Sequence, residues 1–487
     1  MMPRLVTALA AALLACAAQA QDPLPAAVQA ALAKAGMPAD ALAAIALPLD
    51  HRAPIWRHRA EVPMQPGSAM KLVTAVVALD RLGATHVART RLLSAAPLAG
   101  SVLQGDLVLA GGGDPDFGRG ELWTMLVELR DGGVNTIQGD LVLDRTRYRP
   151  ARPDIGEPVI DNYPERWWNV TPDALVFDDG LQRVELSAQG AAFSARLKPQ
   201  LAGVRIDTSA LTLNDRACTD WDGDWMTPRV TDDAQGVLIA LQGAFPRGCS
   251  RVEGMQLVDR TRYLGLWVAQ IWRELGGQWA GGTREGAAPE AARVLVNRRS
   301  RPWGESLRPI IKTSDNTLTR LLFLELGVPG MAAAPEARTL DIARGVVQRW
   351  FAERGIPADG LVLDNGSGLS RSERISPLTM ARLIEWTWRS HLAPDLLMTL
   401  PVAGVDGTLR NRLKDGPAAG RARLKTGTLR NVRALAGVVD DPSGRHWAVV
   451  AIVNHDNGDA AAPILDAFID DFARHGPQRA ARAGGSP

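Results

Sequence analysis

Three short motifs carry side chains that could together perform acyl transfer. The first contains Ser68 and Lys71, which lie three positions apart at the start of a predicted helix and therefore share one helix face. A serine hydroxyl is a weak nucleophile until a neighbour accepts its proton. A lysine amine can accept that proton when desolvation or a second cation lowers its pKa. Ser68 is therefore a candidate nucleophile, and Lys71 is a candidate general base.

The second motif is Ser-Asp-Asn at 314–316, directly before a predicted helix at 318–326. Ser314 could relay a proton between the candidate base and a leaving amine, and the Asn316 amide offers a donor and an acceptor to a substrate amide. Helix capping is the alternative explanation for this motif alone, because Ser, Asp and Asn are the preferred N-cap residues. The same alternative applies to Ser68.

The third motif is Lys-Thr-Gly-Thr at 425–428, in a predicted strand. Gly427 has no side chain, so a peptide could lie against this strand as an added strand. Lys425, Thr426 and Thr428 offer a cation and two hydroxyls to a C-terminal carboxylate. The backbone N–H of Thr428, with that of the candidate nucleophile, could form an oxyanion hole. Lys425 could also be the cation that lowers the pKa of the candidate base. The alternative is an edge strand protected by a lysine.

Each motif has an ordinary explanation alone, but all three in this order favour catalysis. The chain has no G-x-S-x-G nucleophile elbow, and no Ser/His/Asp set is suggested. The 7 histidines are dispersed, with no H-E-x-x-H and no Cys/His cluster, so the sequence predicts neither a metal nor a cofactor. A net charge of +2 gives no basis for nucleic-acid binding.

The elements around the motifs predict one domain built from both ends of the chain. Strands are predicted at 41–49, 55–62, 422–429, 434–439 and 447–453, with helices at 68–82 and 462–474. In the long middle, Gly-Asp-Leu-Val-Leu occurs at 105–109 and again at 139–143, with a helical stretch between, which predicts a strand-helix-strand unit. Further strands at 183–186 and 237–242, a helix at 267–275 and a Gly/Ala-rich linker at 281–292 are also predicted.

The three motifs together resemble those of the low-molecular-mass class C penicillin-binding proteins, the D-Ala-D-Ala carboxypeptidase/endopeptidase type with a large insertion (penicillin-binding protein 4-like). The resemblance covers nearly the whole mature chain. It includes Leu-Ala-Gly-Gly-Gly-Asp-Pro at 109–115, Asp-Asn-Gly-Ser-Gly-Leu-Ser-Arg at 364–371 and Leu-Pro-Val-Ala-Gly-Val-Asp-Gly-Thr-Leu at 400–409. The long gap between the first two motifs distinguishes this type from β-lactamases and smaller carboxypeptidases. One departure is Thr319-Arg320, where a small residue and an acidic residue are expected.

The resemblance implies an α/β fold with a β-lactamase/transpeptidase-like domain, an antiparallel sheet flanked by helices. Residues 21–88 and 293–475 would form this discontinuous catalytic domain. Residues 89–292 would form a large inserted mixed α/β module, either one domain or two nested domains. Residues 476–487 are polar and Gly-rich, and they are predicted to be a disordered tail.

The resemblance also implies a role for each motif residue. Ser68 would be the nucleophile, Lys71 its general base and Ser314 a proton shuttle. Substrate contacts would come from Asn316, Lys425, Thr426, Gly427 and Thr428. The substrate would be a peptidoglycan stem peptide ending in D-Ala-D-Ala or a D-Ala cross-link, and β-lactams would acylate the serine. The loop at 366–371 has no role that the sequence reveals.

Two other functions remain open at this level. A β-lactamase-like hydrolase would need an additional base for fast deacylation, and no such base is obvious in the sequence. The second alternative is a non-catalytic β-lactam sensor or cell-wall binding protein, and the intact Ser68/Lys71 pair and the lack of a predicted membrane span argue against a sensor. Rapid turnover of β-lactams would favour the first alternative, and no turnover of any D-Ala-D-Ala peptide would favour the second.

The N-terminus predicts export to the periplasm. A basic residue, a short apolar run and Ala-Gln-Ala at 18–20 are typical of a signal peptide at 1–20. The alternatives are a membrane anchor, for which the run is too short, and lipoprotein processing at Cys16. The other two cysteines, Cys218 and Cys249, are predicted to form a disulfide in an oxidising compartment, and two unrelated buried thiols are the alternative.

Overall fold

The computed structural model describes residues 22–156, 160–161 and 163–477. The α-helices in this part of the chain are α1 (Ala26–Lys34), α2 (Lys71–Leu82), α3 (Arg119–Asp131), α4 (Arg260–Glu274), α5 (Trp303–Thr313), α6 (Asn316–Gly327), α7 (Thr339–Glu353), α8 (Pro377–Arg389), α9 (Ala393–Thr399) and α10 (Ala462–His475).

The strands in the same residues are β1 (Leu42–Pro48), β2 (Trp56–His58), β3 (Arg89–Ser94), β4 (Leu98–Ala99), β5 (Val102–Leu103), β6 (Leu107–Ala110), β7 (Thr136–Ile137), β8 (Leu141–Asp144), β9 (Gln182–Gln189), β10 (Ala192–Leu197), β11 (Val204–Asn214), β12 (Trp225–Asp233), β13 (Gly236–Pro246), β14 (Ser250–Met255), β15 (Gln278–Trp279), β16 (Thr283–Glu285), β17 (Arg293–Arg299), β18 (Arg423–Leu429), β19 (Val432–Asp440) and β20 (His446–Asn454).

Both ends of the chain form the main sheet, as predicted. Its strand order is β18-β19-β20-β1-β2, and every neighbouring pair is antiparallel. The strand from the N-terminal segment pairs with the last strand of the chain, with Ala43 opposite Ile452. The strand that carries the third motif, β18, therefore lies at an edge of the sheet.

Helices cover both faces of this sheet. Along β1, Ala43 and Ile45 pack into the cluster that contains α2, α5 and α6, whereas Ala44 and Ala46 pack against α1 and α10. Alternate residues of a strand point to opposite faces, so the strand is apolar throughout because both of its faces are buried. The helical layer on the first face supplies the candidate nucleophile and the second motif.

The inserted module begins after α2, which ends at Leu82 and is followed by Gly83 with a φ of 87°. Strand β3 leads into the module and pairs with the return strand β17 in the sheet β16-β8-β6-β3-β17. The repeated sequence forms the parallel pair β6 and β8 with α3 between them, as predicted. The four-stranded sheet β15-β7-β5-β4 and two three-stranded sheets, β10-β9-β14 and β11-β13-β12, complete the module. The domain limits at 88/89 and 292/293 remain a prediction.

The structure corrects one local prediction and contains one predicted bond. The segment 281–292 is not only a linker, because Thr283–Glu285 pairs with β8 as the edge strand β16. Cys218 and Cys249 form a disulfide, with a Cα–Cα distance of 5.3 Å.

The predicted signal peptide, Cys16 and all of the predicted tail beyond 477 lie outside the described residues. Among the described residues, no helix combines the length and apolarity needed to span a bilayer.

Candidate active site

The candidate nucleophile lies in a turn that leads directly into a buried helix. Ser68 belongs to the short 3₁₀ turn Gly67–Met70, and Lys71 is the first residue of α2. The Lys71 Nζ donates a hydrogen bond to the Ser68 Oγ over 3.0 Å. Ser68 is partly exposed, whereas Lys71 is completely buried. The pair therefore presents a hydroxyl to solvent with an amine behind it, and Ser68 does not cap the helix.

Lys71 is held by three different stretches of the chain. Besides Ser68, its Nζ donates to the Asn316 Oδ1 and to the Ser367 carbonyl oxygen, each at 2.6 Å. Burial is the main influence on this amine, and it lowers the pKa of Lys71 to about 7. At neutral pH a large share of Lys71 is thus an uncharged amine that can accept a proton.

Nearby charges adjust this pKa in both directions. The carboxylates of Asp315 and Glu373 raise the pKa of Lys71, and the Arg320 guanidinium lowers it. The sequence predicts Lys425 as the cation that lowers this pKa, whereas in the structure that cation is Arg320. Arg320 departs from the family pattern at its position. Its positive charge was the sequence signal for an effect on the pKa of Lys71.

The three residues of the second motif have different roles in the structure. Asp315 is the N-cap of α6, and its side chain accepts the Leu318 backbone N–H over 2.8 Å. Ser314 has a left-handed backbone with a φ of 66°, between α5 and α6. Its Oγ accepts a hydrogen bond from the Lys425 Nζ over 2.8 Å. Capping therefore explains Asp315, and it leaves Ser314 and Asn316 directed at the two lysines.

The third motif brings a second buried amine to the same place. Lys425 in β18 is completely buried, and its Nζ donates to the Thr426 carbonyl oxygen as well as to Ser314. Burial, followed by the charge of Lys71, lowers the pKa of Lys425 well below its usual range. The Thr426 hydroxyl donates to the Thr408 hydroxyl over 2.8 Å. The site thus holds two lysines, each bonded to a different serine.

Gly427 has a structural reason to be glycine. A Cβ at this position would lie 2.1 Å from the Pro66 carbonyl oxygen, so β18 packs closely against the turn that carries the nucleophile. A Cβ on Gly67 would lie 3.1 Å from the backbone nitrogen of Thr428. This close approach brings the backbone of Thr428 against the turn that contains Ser68, the two residues whose N–H groups are predicted to form the oxyanion hole.

The loop at 366–371, whose role the sequence did not reveal, contributes to the site. It supplies the Ser367 carbonyl that accepts from Lys71. Its Gly368 has a φ of 81° and packs on the nucleophile turn so closely that a Cβ there would lie 1.9 Å from the Gly67 carbonyl oxygen. The buried Glu373 carboxylate accepts the backbone N–H groups of residues 364, 365 and 366. The two glycines of this loop were the sequence signal of a close backbone approach.

The inserted module forms the opposite wall. The Asn316 Nδ2 donates to the Trp168 carbonyl oxygen over 3.2 Å. The Arg320 guanidinium donates to the Val170 carbonyl oxygen and the Thr171 hydroxyl over 3.0 and 2.9 Å. Together the two walls enclose a cleft of about 810 Å³ whose lining includes Ser68, Asn316, Tyr163, Trp167, Trp168, Thr426 and Thr428. All the residues predicted for the site except the buried Lys71, Lys425 and Gly427 thus reach or border this cleft.

The match to a family of known proteins covers nearly the whole described chain. Residues 24–475 match the D-Ala-D-Ala carboxypeptidase 3 (S13) family. The chain belongs to this family. It is 29% identical to a D-alanyl-D-alanine carboxypeptidase of Actinomadura sp. over 86% of this chain and 79% of that protein. It is 27% identical to the carboxypeptidase DacB of Haemophilus influenzae over 85% of both chains.

Solved structures agree with this membership. The crystal structure of penicillin binding protein 4 (DacB) from Haemophilus influenzae superposes with a TM-score of 0.77 at 25% identity, covering 91% of this chain and 98% of the other. The predicted family, the transpeptidase-like α/β fold and the class of serine-type D-Ala-D-Ala carboxypeptidases are therefore confirmed. The roles of individual residues remain predictions.

Proposed function

We propose that Ser68 attacks the carbonyl carbon of the penultimate D-Ala of a peptidoglycan stem peptide, with Lys71 as general base. The observation that carries this proposal is the buried Lys71 amine, 3.0 Å from the Ser68 Oγ and with a pKa of about 7. A neutral amine at that distance accepts the hydroxyl proton as the C–O bond forms. The carbonyl oxygen becomes an oxyanion, stabilised by the backbone N–H groups of Ser68 and Thr428.

Ser314 and Lys425 then serve the leaving group. The proton held by Lys71 passes through the Ser314 hydroxyl to the departing nitrogen, and the C–N bond breaks. Lys425 orients that hydroxyl, since its Nζ lies 2.8 Å from the Ser314 Oγ. The hydroxyls of Thr426 and Thr428, near the same cation, bind the terminal carboxylate, and Asn316 binds the amide of the donor peptide.

The leaving group decides whether the reaction is carboxypeptidase or endopeptidase. Release of free D-Ala shortens a pentapeptide stem, and release of a cross-linked amine separates two stems. The cleft is open and has a volume of about 810 Å³, which supports a substrate larger than a single D-Ala-D-Ala terminus and therefore both reactions. Water then hydrolyses the acyl-serine. β-Lactams, whose strained amide mimics the D-Ala-D-Ala bond, form the same ester. We place the enzyme in the periplasm, where its disulfide is stable.

Intact-mass measurement after incubation with benzylpenicillin tests the nucleophile. The protein should gain one adduct, and Ser68→Ala should gain none. Ser209→Ala, at an exposed serine of the inserted module, is the matched control and should be acylated normally. An adduct of equal stoichiometry in Ser68→Ala would contradict the assignment.

Digestion of purified muropeptides tests the reaction itself. The protein should release D-Ala from monomeric pentapeptides and should separate cross-linked dimers, with both activities lost in Ser68→Ala. Rapid hydrolysis of benzylpenicillin would instead indicate a β-lactamase, and an adduct without turnover of either muropeptide would indicate a β-lactam binding protein.

A further inference from the structure

The segment 400–409, one of the strings that resemble the family, lies between the second and third motifs in sequence and contacts both in space. Its first residues pair briefly with β18, where the Leu424 backbone N–H donates to the Pro401 carbonyl oxygen over 2.9 Å. Its last residues form the short 3₁₀ turn Gly407–Leu409. The middle residue of this turn, Thr408, lies beside the strand that carries the third motif.

A salt bridge fixes this segment to the end of α5. The Lys312 Nζ donates to the Leu400 carbonyl oxygen over 3.0 Å and also pairs with the Asp406 carboxylate. The other oxygen of that carboxylate accepts the Val402 backbone N–H over 2.9 Å. Gly407 packs on the same helix end, where a Cβ would lie 2.8 Å from the Lys312 carbonyl oxygen. The 3₁₀ turn is thus held against the helix end that leads into the second motif.

These contacts place the Thr408 hydroxyl 2.8 Å from the Thr426 hydroxyl at the wall of the cleft. Thr408 is partly exposed to the cleft, whereas Thr426 is 7% exposed. In the part of the chain that the structure describes, neither hydroxyl has another hydrogen-bond partner. The two hydroxyls therefore form an isolated pair, and whatever binds at Thr426 changes the hydrogen bonding of Thr408 as well.

The direction of the hydrogen bond within this pair matters for a carboxylate. Each hydroxyl has one hydrogen to donate, and an ionised carboxylate can only accept. In the structure the Thr426 hydroxyl donates to Thr408. When Thr426 donates to a carboxylate instead, its oxygen can accept the hydrogen of Thr408, and the pair keeps its bond with the direction reversed. A hydroxyl that accepts a hydrogen bond in this way is a stronger donor, because linked hydrogen bonds polarise one another.

The proposed function, on which this inference rests, places the terminal carboxylate of the substrate beside Thr426 and near the buried Lys425 amine. We propose that Thr408 is a positioning residue for this carboxylate, which donates its hydrogen to the Thr426 hydroxyl and thereby directs that hydroxyl to donate to the substrate. The segment 400–409 holds the Thr408 hydroxyl in place for this purpose. A substrate without the carboxylate gains nothing from the arrangement, since the Thr426 hydroxyl then has no anion to bind.

Benzylpenicillin and its methyl ester test this role, because the ester lacks the free carboxylate and is otherwise the same β-lactam. The measured quantity is the second-order rate constant for acylation, followed by intact mass. The parent protein should react faster with the acid than with the ester. Thr408→Val keeps the shape of the side chain and removes its hydroxyl. The preference for the acid should then fall about three- to tenfold, the effect of one net hydrogen bond, and the rate with the ester should not change.

Further variants separate the hydroxyl from the packing of the turn. Thr408→Ser keeps the hydroxyl and should retain the parental preference, whereas Thr408→Ala lacks it and should behave like the valine variant. The matched control is Thr124→Val, at an exposed threonine of α3 whose hydroxyl donates to the Gly120 carbonyl oxygen over 2.9 Å. On a D-Ala-D-Ala pentapeptide, Thr408→Val should raise KM and leave kcat nearly unchanged, because the carboxylate is bound equally in the ground state and the transition state. Complete formation of one benzylpenicillin adduct shows that a variant has folded.

Three results would overturn the positioning role and leave the nucleophile assignment intact. The two variants without the hydroxyl could keep the parental preference for the acid, or they could lose the same factor with the acid and with the ester, as a packing defect would cause. The serine variant could lose the preference as fully as the valine variant, in which case the hydroxyl is not the group that acts. A parent protein that forms no adduct and releases no D-Ala would instead overturn the proposed function together with this inference.

Discussion

The two walls of the cleft differ in how they contribute to the site. The catalytic domain supplies two buried lysine amines, Lys71 and Lys425, which are hydrogen-bonded to Ser68 and Ser314 respectively. The inserted module supplies backbone carbonyl groups at Trp168 and Val170, and its Tyr163 and Trp167 rings at the cleft are exposed. Trp167 is 44% exposed, whereas both lysines are completely buried.

The catalytic domain therefore carries the bond-breaking chemistry, and the inserted module determines the shape of the cleft. A buried amine gains its altered pKa from its surroundings, so the reaction depends on the catalytic domain being tightly packed. The inserted module meets that machinery through Arg320, which donates to the module and also lowers the pKa of Lys71. We therefore expect substitutions on the first wall to change the reaction rate strongly. Substitutions on the second wall should change it weakly and by an amount that depends on the substrate.

The largest effect is expected for Lys71→Ala. Removal of a general base lowers rates by about 10² to 10⁴-fold, so acylation by benzylpenicillin should slow to that extent. Lys198→Ala, at an exposed lysine of the inserted module, is the control and should react normally. Stopped-flow or quenched intact-mass kinetics at neutral pH measure both variants. Near-normal acylation of Lys71→Ala would assign the base to another group, with Lys425 as the first to examine.

The pH dependence of acylation tests the environment of Lys71. Its pKa is lowered to about 7, and the base acts in its neutral form, so the acylation rate should rise with pH through about 7 and level off above it. Glu373→Gln removes a charge that raises this pKa, so the acid limb should move to lower pH. Arg320→Gln removes a charge that lowers it, so the limb should move to higher pH.

These two substitutions are controls for each other. Glutamine at 373 keeps an oxygen that can accept the backbone N–H groups of the loop, and glutamine at 320 keeps donors toward the module. A general loss of packing would lower the plateau rate in both variants without moving their limbs in opposite directions. If the acid limbs of both variants moved in the same direction, the opposite effects assigned to Glu373 and Arg320 on the pKa of Lys71 would be wrong.

The residues that form the first wall were easier to predict from the sequence than those that form the second wall. Local rules predict the Ser-Lys spacing, the cap at Asp315 and the β18 strand. The order of the three motifs along the chain then limits the number of folds that fit. The Ser367 carbonyl could not be predicted, because a backbone group has no identity in a sequence and its direction depends on how Gly368 packs. The Trp168 carbonyl was missed for the same reason. The edge strand β16 was missed because its partner, β8, is far away in the sequence.

A smaller effect is expected for Trp167→Ala on the second wall. Its ring lies 5.5 Å from that of Trp168 and borders the cleft. Loss of an aromatic contact of about 1 kcal/mol should lower kcat/KM for cross-linked muropeptides by about fivefold, and the effect on benzylpenicillin should be smaller. Trp123→Ala, at a ring on α3 with a similar exposure of 40%, is the control. Equal losses on both substrates would place Trp167 in the chemistry of the first wall.

The smallest effect on the reaction is expected for removal of the disulfide. Cys218 and Cys249 close a loop with a sequence separation of 31 in the inserted module, for which the chain-entropy model gives about 3–4 kcal/mol. The double variant Cys218→Ser/Cys249→Ser should therefore unfold at a lower denaturant concentration. Its acylation by benzylpenicillin at room temperature should match that of the parent, because the lysines and their partners lie in the catalytic domain. Chemical denaturation and acylation kinetics on the same preparation measure the two quantities. A parallel loss of acylation rate in the folded double variant would mean that the module tunes the catalytic centre, and the proposed division between the two walls would then be wrong.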